Sequence, residues 1–116
     1  MPNLLVVEDE PALRTTLSEI FARFGHRVRC VADGRAALAE LGQEMPDIIV
    51  SDLHMPGMSG FELLSRVRGK FPRVKLIAMS SAFPGGEMPQ GVAADAFYQK
   101  GGGLGSLLKI VAGMTA

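Results

Sequence analysis

Four short apolar runs in this chain end in groups that can do chemistry: Glu8 and Asp9 after the first, then Asp52, Ser80 and Lys100 after three later ones. Three carboxylates gathered within a few ångströms repel one another, which raises at least one pKa unless a cation intervenes. A hard divalent ion answers that repulsion, because Mg²⁺ takes oxygen ligands, keeps several waters and bridges carboxylates to phosphate. An Asp beside such an ion, with a Lys and a hydroxyl nearby, is a nucleophile suited to phosphoryl transfer, a reaction that depends mostly on positioning and charge neutralisation. The group fits an aspartyl-phosphate site with Asp52 as acceptor.

The elements around these residues explain how they could meet. Asp47 to Ser51 is nearly all apolar and β-branched, as in a parallel strand covered on both faces, and Pro56, Gly57 and Gly60 cannot continue it, so Asp52 is held at a strand's C-terminal edge. Leu4 to Val7, Arg27 to Val31, Val74 to Met79 and Ala94 to Gln99 read as four further strands. Between them, Leu13, Leu17, Ile20, Phe21 and Phe24 recur at helical spacing, with Glu10 at the helix start and Gly25 where a C-terminal cap residue stands. Asp33 can cap a second helix through Leu38 and Leu41, ended by Gly42. Ser59-Gly60-Phe61-Glu62 has the capping-box pattern of a third, with Phe61, Leu64 and Val67 on one face. Leu104, Leu107, Leu108 and Val111 mark a final helix. The segment from about Ala82 to Val92 contains Pro84, Gly85, Gly86, Pro89 and Gly91, so any helix there is expected to be very short, irregular or missing. With right-handed crossovers, this alternation predicts an α/β fold: one doubly wound, five-stranded parallel sheet with helices on both faces. In such a sheet the strand ends share one edge, and ligands bind in the crevice outside it.

Composition narrows the function. At 116 residues and 47% hydrophobic, the chain suits one domain, and residues 1–116 are expected to form it without an output domain. Twelve basic and twelve acidic residues cancel, leaving no global field for nucleic acid or an anionic membrane. No apolar run approaches the roughly 18 to 20 residues of a membrane span, the start lacks a signal-peptide pattern, and the single Cys30 cannot form an internal disulfide. A cytoplasmic setting is expected.

These residues resemble the receiver domain of two-component response regulators over essentially the whole chain. The acidic pair is Glu8-Asp9 within Val6-Val7-Glu8-Asp9-Glu10, and the phosphoacceptor motif reads Asp52-Leu53-His54-Met55-Pro56-Gly57-Met58-Ser59-Gly60. Ser80 and Lys100 match the family's hydroxyl and Lys, and Phe97 matches an aromatic switch position three residues before the Lys. The resemblance implies the flavodoxin-like, CheY-like strand order 2-1-3-4-5. It also implies that Asp52 takes a phosphoryl group from a histidine kinase or histidine phosphotransfer protein. Asp9, Asp52, the His54 backbone carbonyl and, through water, Glu8 would bind Mg²⁺ or Mn²⁺. Lys100 would pair with a phosphate oxygen, Ser80 would move to hydrogen-bond it, and Phe97 would turn inward, passing the signal to an unknown downstream protein. Such a domain promotes its own phosphorylation and dephosphorylation and is not otherwise an enzyme.

Family members usually carry Pro after the Lys, often in a cis bond, whereas Lys100 precedes Gly101-Gly102-Gly103. A cis bond before a non-proline residue costs about 2.5 to 4 kcal/mol, so a trans peptide and a looser Lys100 are expected. The Gly run lacks the Gly-Lys-Ser/Thr ending of a P-loop and reads as a flexible connection. Ser81 rivals Ser80, but spacing favours Ser80. The side chains of His26 and His54 lack His or Cys partners at metal-binding spacing, and Cys30 reads as a small buried hydrophobe. A flavin carrier is disfavoured by an acidic first loop that would repel a flavin phosphate. The alternative retained is a pseudo-receiver, a binding module that works without phosphate.

Overall fold

The structure, a computed structural model, describes residues 2–81 and 90–115. Five strands, β1 (Asn3–Val7), β2 (Arg27–Val31), β3 (Ile48–Asp52), β4 (Lys75–Ser80) and β5 (Ala96–Gln99), alternate with α1 (Pro11–Arg23), α2 (Gly34–Gln43), α3 (Gly60–Lys70) and, after β5, α4 (Leu104–Thr115). The sheet is parallel throughout, in the order β2-β1-β3-β4-β5. The doubly wound, CheY-like arrangement read from the sequence is therefore the one adopted. The segment between β4 and β5 expected to hold a weak helix falls largely outside the described residues.

Alternation along each central strand builds two cores. Leu5, Val7, Ile49, Leu76 and Ala78 pack with Leu41 of α2 and Leu63, Leu64 and Val67 of α3. Leu4, Val6, Ile48, Val50, Ile77 and Met79 pack on the other face with Leu17 and Phe21 of α1 and Leu107 and Val111 of α4. Truncating any one such Leu or Ile to Ala costs about 2–5 kcal/mol, so the strand ends are presented by a stiff scaffold.

Helix ends follow local chemistry. Asp33 accepts from Ala36 N (2.8 Å) and Ser59 from Glu62 N (3.2 Å), each satisfying an orphan first-turn donor. Glu10 is the residue before α1, and Pro11 occupies its first position, where the missing N–H costs nothing. Gly25, at φ +87°, takes the left-handed turn that ends α1. Two boundary expectations fail. Phe24 does not join the α1 core face but is 63% exposed, because the helix stops at Arg23 and the chain turns away at Gly25. Gly42 does not end α2, which continues to Gln43; the stop comes at Glu44, whose carbonyl is held in extended backbone by Arg29 Nη2 at 2.7 Å.

Candidate functional site

Asp52 is the last residue of β3, paired in register with Met79 and only 4% exposed. Its backbone is fastened on both sides: Ser51 Oγ donates to Asp52 O (3.0 Å), and the next amide, Leu53 N, donates to Met79 O (2.9 Å). Its carboxylate is fastened as well. His54 N donates to Oδ1 at 3.2 Å, and Lys100 Nζ lies 2.8 Å from Oδ2. The same ammonium lies 2.8 Å from Glu8 Oε1.

Glu8 has no solvent exposure, immediately after β1, whereas Asp9 beside it is exposed. Carboxylate oxygens of Glu8, Asp9 and Asp52 lie within 4.8 Å of one another, so three strand-end acids from two neighbouring strands converge as anticipated. Burial pushes the Glu8 pKa up, and the charge of Asp52 adds to this, while Lys100 and the Glu10 N–H pull against it. Burial works against the Lys100 charge, but Asp52 and Glu8 outweigh it and hold the ammonium pKa above the ordinary lysine value. Lys100 is thus an internal counter-ion to two buried carboxylates. It is not loose, contrary to expectation: the peptide bonds of the described residues are all trans, yet Nζ is gripped by two carboxylates and Lys100 N donates to Ser80 O at 3.0 Å.

The donor set fits a hard divalent ion. All the convergent ligands are oxygens, which select Mg²⁺ or Mn²⁺ over softer metals. The three carboxylates, within 4.8 Å of one another, are close enough to share one such ion directly or through water. Glu8 Oε1, 2.8 Å from Lys100 Nζ, keeps a second lone pair in a buried position.

Ser80 is the last residue of β4 and fully buried, while Ser81 is exposed, so the structure places Ser80 at the edge shared with Asp52. Phe97 lies in β5 opposite Ala78 and packs, partly buried, against the α2–α3 core. The His54 ring is exposed and sits edge-on to Phe61, with centroids 6.2 Å apart. Cys30 is partly buried against the α1–α4 core, and burial raises its thiol pKa. Two residues escaped the sequence reading. A Cβ on Gly60 would lie 2.0 Å from Asp52 O, and Arg14 Nη1 donates to Glu8 O at 2.9 Å. Gly60 was legible as a strand breaker, in the capping-box pattern and in the motif after Asp52, but not for its contact with Asp52; Arg14 carried no local signal.

The fold and this edge define a class: residues 4–100 match the response regulator receiver domain model, and the chain belongs to that family. Among relatives, it is 46% identical over 68 residues to the transcriptional regulatory protein AfsQ1 of Streptomyces coelicolor, covering 59% of this chain and 30% of AfsQ1. It is 32% identical over 79 residues to sporulation initiation phosphotransferase F of Bacillus subtilis, covering 68% and 64% respectively. The chain thus spans less than two thirds of the length of either. In structure it is similar to the response regulator TrrA of Thermotoga maritima in complex with Mg²⁺ and BeF, with TM-score 0.89, 29% identity and coverage of 98% and 99%. TrrA in complex with the histidine kinase ThkA matches with TM-score 0.90, 28% identity and full coverage of both chains.

Proposed function

We propose that this receiver domain accepts a phosphoryl group on Asp52 from the phosphohistidine of a histidine kinase or phosphotransfer protein. The observation that carries this reading is the convergence of Glu8, Asp9 and Asp52 within 4.8 Å, with Lys100 Nζ at 2.8 Å from the Asp52 carboxylate. An Asp52 oxygen attacks phosphorus, the P–N bond to histidine breaks, and the electron pair stays with the imidazole, which then holds its proton. Asp9, Asp52 and the His54 carbonyl would hold Mg²⁺, with Glu8 reaching it through water, and the ion would supply neutralisation of charge on the phosphoryl oxygens. Lys100 exchanges one carboxylate contact for a phosphoryl oxygen. His54 N, already aimed at Asp52 Oδ1, keeps the acceptor carboxylate oriented.

The phosphoryl group adds nearly two negative charges and strong acceptors beside Ser80, and only one loop arrangement satisfies them. Ser80 and Phe97 carry that change from β4 to the edge strand β5, where a downstream protein reads it. A kinase partner is supported by the TrrA–ThkA complex. A phosphate-independent module is not favoured, because the acids and Lys100 remain assembled. The test is intact mass after incubation with Mg²⁺ and acetyl phosphate under rapid, non-acidic conditions. One added phosphoryl group, absent in Asp52→Asn and when EDTA precedes the reaction, is expected. No adduct, with no amide shift on adding beryllofluoride, overturns the reading.

A further inference from the structure

We infer that Arg14 is a positioning residue for the divalent-cation site, an inference that rests on the metal-binding reading above. Glu8 and Asp9 occupy the two residues after β1, where ladder hydrogen bonds no longer dictate the path of the chain. The exit is nevertheless held from three directions. Glu8 N donates to Val31 O at 3.0 Å, tying it to β2. Glu8 Oε2 accepts from Glu10 N at 3.1 Å, fixing the side chain against the start of α1. Arg14 Nη1 donates to Glu8 O at 2.9 Å, so a half-buried guanidinium fixes the peptide plane that joins Glu8 to Asp9.

The third tie matters most for Asp9. Glu8 and Asp52 are packed in place at 0% and 4% exposure, but Asp9 is exposed, so its carboxylate takes its position from the backbone that carries it. That backbone begins at the carbonyl Arg14 grips. Arg14 is itself anchored, since its amide donates to Glu10 O (3.0 Å) in the first turn of α1 and its carbonyl lies 3.9 Å from Cys30 Sγ on β2. A charge-assisted hydrogen bond to a carbonyl is roughly twice as strong as a neutral one and sets direction as well as distance.

Two physical effects of this guanidinium have opposite signs. As a positive charge beside an acidic cluster it repels a cation, and its removal would tighten Mg²⁺ binding. As a clamp on the Glu8–Asp9 peptide it preorganises a ligand, and its removal would weaken binding. Outer partners that orient metal ligands are typically worth 10- to 100-fold in affinity, more than a screened surface charge returns, so the clamp dominates.

The experiment is a calorimetric Mg²⁺ titration of the metal-free protein, with no phosphodonor, for wild type, Arg14→Met, Arg14→Lys and Asp9→Asn, alongside metal-free melting curves. Arg14→Met, which keeps the aliphatic stem and removes the donor and charge, is expected to weaken Mg²⁺ on the order of tenfold. Arg14→Lys recovers part of the loss, because a single ammonium replaces the planar fork. Unchanged or tighter binding in Arg14→Met overturns the inference and leaves Arg14 as a charge or a packing residue. A metal-free melting temperature that falls in Arg14→Met while Arg14→Lys, folded as wild type, binds Mg²⁺ normally also overturns it. If wild type itself binds no Mg²⁺, or Asp9→Asn binds as well as wild type, the underlying metal reading fails first, and that result is distinct from the others.

Discussion

Gly60 and Gly69 occupy the same helix and face opposite constraints. A Cβ at Gly60 would lie 2.0 Å from Asp52 O and 2.6 Å from Leu53 Cα, backbone atoms that cannot step aside, whereas one at exposed Gly69 meets nothing within 4 Å. Gly60 N also donates to Leu53 O at 3.0 Å, so the first turn of α3 leans directly on the strand end that carries Asp52. Gly60→Ala is therefore expected to destabilise at or above the upper end of the about 1–3 kcal/mol typical of overpacking. It should also displace Asp52 and sharply slow phosphoryl uptake. Gly69→Ala should stabilise by up to about 1 kcal/mol through helix propensity, with uptake unchanged. Urea melts together with mass-detected phosphoryl uptake separate the two, and equal stability for both variants would show that α3 can retreat from β3. Sequence alone could not rank these glycines, because the difference lies in what each approaches across the fold.

Elements are joined to one another by a few polar ties, and Asp95 ties the start of β5 to α3 and β4. Its Oδ2 accepts from Arg68 Nη2 of α3 at 2.7 Å and from Leu76 N of β4 at 2.8 Å, and its own N donates to Leu76 O at 2.8 Å. Burial opposes ionisation of Asp95, but the Leu76 N–H and the Arg68 guanidinium outweigh it and hold the pKa below the ordinary 3.8. A group whose pKa is depressed on folding lends stability that is full above its unfolded value and is lost as pH falls through the folded one. Asp95→Asn should accordingly be less stable than wild type at pH 7, by roughly 1 kcal/mol or less because the Arg68 pair is partly solvated. The gap should close as pH drops below about 3.8. Denaturation midpoints measured from pH 7 to 3 check this, and a gap independent of pH would assign the loss to geometry rather than charge. The fifth strand begins at Ala96 rather than at Ala94, as the apolar run suggested: at Asp95 the backbone N–H still bonds Leu76 O, but the Leu76 N–H is taken by the Asp95 side chain instead of a strand carbonyl. Periodicity reports burial, and it is blind to such side-chain substitutes for strand pairing. The helix caps at Asp33 and Ser59 were legible because their signal is local.

At the scale of the whole molecule, one sheet brings together groups separated by as many as 92 residues between Glu8 and Lys100, and that convergence was readable because four of the five strands ended in an informative residue. The detail of Lys100 was not, since its grip depends on two carboxylates reaching it at once rather than on the residue that follows it. The assembled edge concentrates like charge, which a single ammonium only partly offsets. Such a site lowers stability until a cation arrives, and this gives metal binding a thermodynamic signature without any phosphodonor. At tenfold excess over its dissociation constant, a ligand bound only by the folded state adds about 1.4 kcal/mol, or a rise of roughly 4–8 °C in melting temperature for a domain of this size. Mg²⁺ should produce such a rise, and EDTA should reverse it. Asp9→Asn should respond in two opposite ways: in EDTA it melts no lower than wild type, because one repelling carboxylate is gone, while in Mg²⁺ it gains little. Scanning calorimetry of both proteins under both conditions distinguishes this from a general salt effect, which would raise wild type and variant alike and place the ion outside the Glu8, Asp9 and Asp52 cluster.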